Sequence, residues 1–281
     1  MARPDFLIIG AMKCATSTLA AQLAAQQGVF MTTPKEPEYF ADDAIHARGQ
    51  AWYAGLFADA PEGACKGEAS TGSTKLPDHP KAAARIHALV PGARLVYLIR
   101  NPLDRLVSHY IHEWTTGVIT GDLKSALDAH PALVDYGCYA RQLAPYVDLF
   151  GRDQILVATL EEMEAAPQAV LERVHRFIGA PGDPVWQTER ERMNASAERF
   201  RRLPLQRLLV NNPLARTLRH RLVPKAVRDR IRRTRQITRR PALDDADRAR
   251  LAPVFDRDRA ALRALLPDRP DIERCYPFLA P

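Results

Sequence analysis

The 281-residue chain reads as an α/β protein, a parallel sheet with helices on both faces. Three observations predict this. Short apolar runs that read as buried strands alternate with helix-forming stretches. The first run passes through a glycine straight into a strong helix former. The clearest run, Arg94 to Ile99, likewise ends at a turn that opens a helix.

Taken in order, Asp5 to Gly10 is a strand ending in glycine. A loop follows, and then two Leu-Ala-Ala-Gln repeats with leucines four apart, a helical pattern. Val29 to Met31 is a second strand, leading into the charged loop Lys35 to Phe40. Lys66 to Thr71 reads as another strand end after a glycine-containing turn. Pro80 to Leu89 is a helix closed by Pro91 and Gly92. Arg94 to Ile99 is a buried strand, and Asp104 to Trp114 is the helix after it. Ile155 to Ala158 is a strand, and Pro167 to Ile178 an amphipathic helix stopped by Gly179. Beyond about Leu203 the chain is arginine-rich, with Pro213, Pro224, Pro241 and Pro253. Residues 203–281 are therefore expected to form a basic, mainly helical extension of a single domain spanning 1–281.

Composition narrows the function classes. At 46% hydrophobic and 26% charged the chain is ordinary for a globular protein. No apolar run approaches the roughly 18 residues of a membrane span. Phe6 to Ile9 is too short for the core of an export signal, so a cytoplasmic location is expected. Cys14, Cys65, Cys138 and Cys275 are scattered without ligand spacing, which predicts reduced structural thiols and no metal site. The net charge of +7 is uneven: Arg199 to Arg240 holds about fifteen basic residues and one acid, Asp229, and the remainder is acidic. Such a block suits an anionic partner, a membrane surface or a solvated helical face. No nucleic-acid motif accompanies it, and no nucleic-acid partner is expected.

Ligands of parallel α/β sheets sit at the carboxyl ends of the strands, and three segments fall there. Gly10 to Thr18 is a strand-to-helix turn, where unpaired N–H groups at a helix start point at any anion. Lys13 adds charge, and Thr16, Ser17 and Thr18 add hydroxyls. The loop lacks the second glycine and later lysine of a Walker A motif; taken alone it is equally a capped helix start. Arg100 follows a strand directly, and Ser108 lies two turns into the next helix. Arginine forks onto phosphate oxygens, although alone Arg100 reads better as the partner of a helix carboxylate. With the first loop it completes two anion sites, suited to a nucleotide phosphorylated at both ends of its ribose. Glu68 to Thr71 is the third segment. Glu36, in Lys35-Glu36-Pro37-Glu38, sits near this cationic region as a candidate general base. With Glu38, Asp42 and Asp43 nearby, a solvated acidic loop is equally consistent.

Together these segments resemble the PAPS-dependent sulfotransferases, particularly the heparan sulfate sulfotransferases and their bacterial relatives. GAMKCATSTL resembles the family's 5′-phosphosulfate loop, and LIRNPLDRLVSHY its 3′-phosphate motif. KEPEYF resembles the segment carrying the base in glycan enzymes, and KGEAST the segment GE-x-[ST]-P. GCYARQLAPYVDLFGRDQILVATLEEM is similar to a helix–strand stretch of bacterial members. Two residues depart from the pattern. Ala15 replaces a glycine, and Thr71 stands where proline is common. No KGR-type nucleotide loop is evident near the C-terminus.

The resemblance implies a P-loop-NTPase-like three-layer fold with a central parallel sheet of about five strands. It implies PAPS as cosubstrate, PAP as product, and no metal. Glu36 would be the base and Lys13 the group that stabilises the leaving phosphate. Met12, Lys13, Cys14, Ala15, Thr16, Ser17 and Thr18 would hold the 5′-phosphate, largely through backbone amides. Arg100 and Ser108 would hold the 3′-phosphate. Asn194 and Ser196 match a weaker donor signal, and Lys35 and Glu68 would orient the acceptor, a small molecule or glycan. A homodimer is allowed. Two other readings stand beside this one. A P-loop kinase-like phosphotransferase is disfavoured by the missing glycine and magnesium ligands. A noncatalytic polyanion-binding protein leaves the strand-end residues unexplained.

Overall fold

The computed structural model describes residues 2–189 and 240–279. Five strands, β1 (Phe6–Gly10), β2 (Val29–Met31), β3 (Cys65–Ala69), β4 (Arg94–Ile99) and β5 (Ile155–Thr159), form one sheet in the order β2-β3-β1-β4-β5. All four pairings are parallel. After β3 the chain crosses over β1 to reach β4, so the strand order reverses at β1. Crevices open outside the carboxyl ends of strands at such a reversal. The loops after β1, β2, β3 and β4 share that edge.

The helices are α1 (Thr16–Leu23), α2 (Asp43–His46), α3 (Gly49–Gly55), α4 (Ala82–Leu89), α5 (Pro102–Thr116), α6 (Leu123–Ala129), α7 (Ala132–Asp135), α8 (Tyr139–Phe150), α9 (Leu160–Ala165), α10 (Pro167–Ile178) and α11 (Asp245–Leu265). A 3₁₀ turn, Thr71–Thr74, extends β3. Every strand and helix read from apolar pattern and turn residues is present, with ends moved by local chemistry. The helix expected from Asp104 begins at Pro102, because the Asn101 side chain accepts from the N–H groups of Leu103 (3.0 Å) and Asp104 (3.4 Å). It ends at Gly117 with φ 88°, a conformation open to glycine. The short helices α2, α3, α6 and α7 are too brief for apolar periodicity, although Asp42 and Asp122 cap α2 and α6.

Strands β1, β4 and β5 are buried almost throughout, the burial expected of a sheet covered on both faces. The core extends from Phe6 to Tyr276. Within it, Leu251, Phe255 and Leu262 of α11 join α8. The Asp258 carboxylate accepts from the N–H groups of Ala140 (3.0 Å) and Arg141 (3.2 Å), capping α8 from another helix. The described part of the C-terminal region, residues 240–279, is thus packed on the same core. The arginine-rich block falls outside the described residues, apart from Arg240. No helix among the described residues is long and apolar enough to cross a membrane.

Candidate active site at the carboxyl ends of the strands

The first loop leaves β1 and enters α1 through two residues in the left-handed region, Lys13 (φ 68°) and Ala15 (φ 62°). Ala15 occupies the N-cap and makes no side-chain cap hydrogen bond. A non-glycine residue in this conformation costs about 1–2 kcal/mol, and such strain gathers at functional sites. Alanine therefore holds the backbone course for which glycine was the expected residue. Met12 and Thr16 are buried, while Lys13, Ser17 and Thr18 are half-buried. The Cys14 thiol turns into the core, 3.7 Å from the Tyr139 hydroxyl, and burial pushes its pKa up to about 11. Its side chain faces away from any ligand at this loop, leaving only its backbone for that purpose. All four cysteines are free and buried.

Arg100, at the end of β4, reaches across to this loop: its Nη1 donates to the Lys13 carbonyl at 3.4 Å. The Tyr139 hydroxyl donates to the Arg100 carbonyl at 2.8 Å and fixes the backbone. The Arg100 Nε is buried and has no hydrogen-bond partner among the described residues. A guanidinium N–H left unpaired inside a protein is costly unless a ligand meets it. Ser108 is half-buried on α5, two turns from the same strand end. Asn194 and Ser196 lie outside the described residues.

The loop after β2 supplies a second cluster. Glu36 (φ 60°) and Glu38 (φ 55°) are also left-handed. The Glu36 N–H donates to the Ala69 carbonyl at 3.0 Å, which ties the loop to β3. Lys35 Nζ lies 2.5 Å from Glu36 Oε1, and the Thr71 hydroxyl donates to Oε2 at 3.2 Å. Glu38 Oε1 accepts from the Gly72 N–H at 3.3 Å, and a Cβ on Gly72 would come within 1.9 Å of Glu38 Oε2. The Ala41 Cβ would lie 2.8 Å away as well, so a larger residue there would displace Glu38 and press on Ala41. The two carboxyls are pushed apart. Burial raises Glu36, but the charges of Lys35 and Lys75 and the Thr71 hydroxyl outweigh it and hold Glu36 below the usual carboxylate range. Burial and the Glu36 charge raise Glu38 against the pull of Lys75. Two neighbouring carboxyls whose surroundings shift them in opposite directions form the pattern from which acid and base roles are divided.

Glu68 lies behind this pair. It is fully buried, and neither carboxyl oxygen has a hydrogen-bond partner among the described residues. Burial and the neighbouring Glu38 charge push its pKa up to about 8, while the Tyr53 hydroxyl beside it draws it down. Tyr53 stacks on Tyr39 at 4.4 Å and is itself buried. An enclosed carboxyl cannot touch an acceptor, so any part Glu68 plays in orienting one runs through Glu38. Lys75, Tyr53 and Tyr139 escaped sequence reading. Tyr53 sits on a helix without apolar periodicity, Lys75 closes the 3₁₀ turn after β3, and Tyr139 meets Arg100 only through the tertiary fold.

Comparison with known proteins follows the same lines. A family model described as a sulfotransferase domain matches residues 3–208. The bifunctional heparan sulfate N-deacetylase/N-sulfotransferase 1 of Caenorhabditis elegans is 26% identical over 198 residues, 64% of this chain and 22% of that protein. The mouse heparan sulfate glucosamine 3-O-sulfotransferase 3A1 is 27% identical over 188 residues, 63% of this chain and 46% of that protein. The chain thus spans less than half the length of these two relatives. Among solved structures, a sulfotransferase from Alicyclobacillus acidocaldarius aligns with a TM-score of 0.68 at 24% identity, covering 95% of this chain and 96% of that one. At that identity the likeness concerns the fold.

Proposed function

Because the chain belongs to the sulfotransferase domain family, with its P-loop-NTPase-like fold, we propose that it moves a sulfuryl group from PAPS to a hydroxyl or amine of an acceptor. The observation that carries this reading is the junction of Arg100 with the Lys13 loop, where a buried guanidinium N–H has no partner among the described residues and lies near a helix start whose N-cap, Ala15, has no capping side chain. These residues suit a nucleotide with phosphate at both ends of its ribose. Bound there, PAPS supplies a sulfuryl group on a phosphate leaving group.

The chain's own residues would act as follows. The backbone from Met12 to Thr18, at the start of α1, holds the 5′-phosphate. Arg100 and Ser108 hold the 3′-phosphate, with Asn194 and Ser196 as further donor contacts. Lys13 neutralises charge developing on the leaving oxygen. Glu36, kept ionised by Lys35, Lys75 and Thr71, takes the acceptor proton. Glu38, which holds its proton more tightly, is the paired carboxyl beside it. The acceptor is a small molecule or a glycan.

Thermal unfolding with nucleotides tests the donor. PAP without magnesium should raise Tm by several degrees at a hundredfold excess over Kd, from about 2.7 kcal/mol of binding. ATP with magnesium should shift it little, and Arg100→Ala should remove most of the PAP effect. The reverse pattern would overturn the reading in favour of a kinase-like phosphotransferase.

A further inference from the structure

Arg105 is fully buried, and the reaction proposed above does not use it. It lies on α5, one turn before Ser108. Its Nη2 donates to the Leu133 carbonyl, while Nε and Nη1 are buried without a hydrogen-bond partner among the described residues. Burial draws its pKa down, but arginine keeps its proton. An unpaired buried charge is among the most costly features a fold can keep.

Its surroundings supply no counter-charge. The groups that act on it most strongly are Tyr139, Cys14, Tyr97 and Cys138. Burial pushes all four upward, so they stay neutral at ordinary pH. The Asp258 carboxylate also faces Tyr97, but it accepts from the N–H groups of Ala140 and Arg141 at the start of α8. Cys14 belongs to the loop assigned to the 5′-phosphate, and its thiol lies 3.7 Å from the Tyr139 hydroxyl. That hydroxyl donates to the Arg100 carbonyl at 2.8 Å. Of the two guanidinium groups that act on Cys14, Arg105 acts more strongly than Arg100. Its charge is thus within electrostatic reach of the donor loop and, through Tyr139, beside the backbone of the residue assigned to the 3′-phosphate.

Resting on the sulfotransferase reading, we propose that the counter-charge of Arg105 is the donor nucleotide itself. The guanidinium does not touch the ligand; it supports both phosphates through the field it sets at the Lys13 loop and at Arg100. Such a field reaches far enough. At an effective dielectric of about 20, one pair of unit charges about 10 Å apart changes an affinity about tenfold or more. The unliganded fold carries the cost of the charge, and the bound phosphates offset it.

The test is calorimetric titration of the full chain with PAP and with AMP, which has one phosphate fewer. At about pH 8 each phosphate carries about two negative charges, so a field effect grows with the number of phosphates bound. Arg105→Met, which removes the charge, should weaken PAP at least about thirtyfold and AMP by about the square root of the PAP factor. Arg105→Lys, which keeps the charge, should hold PAP within about threefold of wild type. Without ligand, the Tm of Arg105→Met should equal or exceed that of wild type: the Leu133 carbonyl loses a donor, but the removed charge outweighs it. A merely structural Arg105 gives another pattern, in which PAP and AMP weaken by one common factor and lysine recovers nothing. That pattern, or unchanged PAP affinity in Arg105→Met, would overturn the proposal. If Arg105→Met does not fold, Arg105→Gln against Arg105→Lys gives the same contrast of neutral and charged head groups. Failure of the wild-type chain to bind PAP would overturn the donor assignment, and the role of Arg105 with it.

Discussion

Replacing Glu68 by glutamine should remove a pH dependence of stability that originates inside the sheet. Glu68 is fully buried beside Tyr53 and Glu38, with Tyr146 also within electrostatic reach. Burial first, and then the Glu38 charge, raise its pKa from an ordinary 4.5 to about 8. The folded state thus holds a proton that the unfolded chain releases. Its stabilising contribution is full below the unfolded pKa and is lost as pH rises toward the folded one. At about 1.4 kcal/mol per pH unit, the loss between pH 5.5 and pH 8 is about 3 kcal/mol. Glutamine matches the neutral carboxyl in shape and does not titrate. Wild type and Glu68→Gln should therefore be similarly stable below about pH 4.5, and the variant should gain about 3 kcal/mol on wild type between pH 5.5 and pH 8. Urea unfolding at several pH values reads this directly, since other titrating groups cancel in the difference. Parallel stability curves would show that Glu68 is ionised in the folded protein and would refute the argument. Tyr53→Phe, by removing the hydroxyl that favours the charged carboxyl, should push the Glu68 midpoint still higher.

Further outcomes follow from the site. Glu36→Gln should lower kcat about 10²–10⁴-fold with PAP affinity intact, read by steady-state kinetics and titration; near-normal turnover would remove Glu36 as the base. Lys13→Ala should cost about 10²–10³ in kcat, with Lys13→Arg recovering only part because its planar fork places charge differently; an effect on folding alone would make the loop structural. Ala15→Gly should relieve the left-handed strain, offset by greater freedom in the unfolded chain, for a net gain of about 0.5–1 kcal/mol seen as a small rise in Tm. A loss of stability there would mean that Ala15 is not strained.

The fold could be read in the sequence because its strands and helices rest on local rules. Continuous apolar runs such as Arg94 to Ile99 become buried parallel strands wherever helices cover both faces. Asn101, Pro102 and Gly117 then punctuate the helix that follows. Helices α2 and α3 are too brief for apolar periodicity, and their placement depends on packing of aromatic residues such as Tyr39 and Tyr53. Lys13 and Arg100 stood out by lying just beyond strand ends and Glu36 by its cationic neighbour, and in combination by resemblance, since each alone allowed a structural role. Which groups they meet was decided by tertiary structure alone. Strand order brings β4 beside β1, so Arg100 reaches the Lys13 carbonyl across 87 positions of sequence. The same packing turns Cys14 inward and encloses Glu68, two residues that sequence had placed at the ligand's edge. Burial and proximity are properties of the assembled sheet, and pKa shifts follow from both. The ionised Glu36 and the protonated tendency of Glu38 and Glu68 therefore had no counterpart in the linear chain, where all three are simply glutamates.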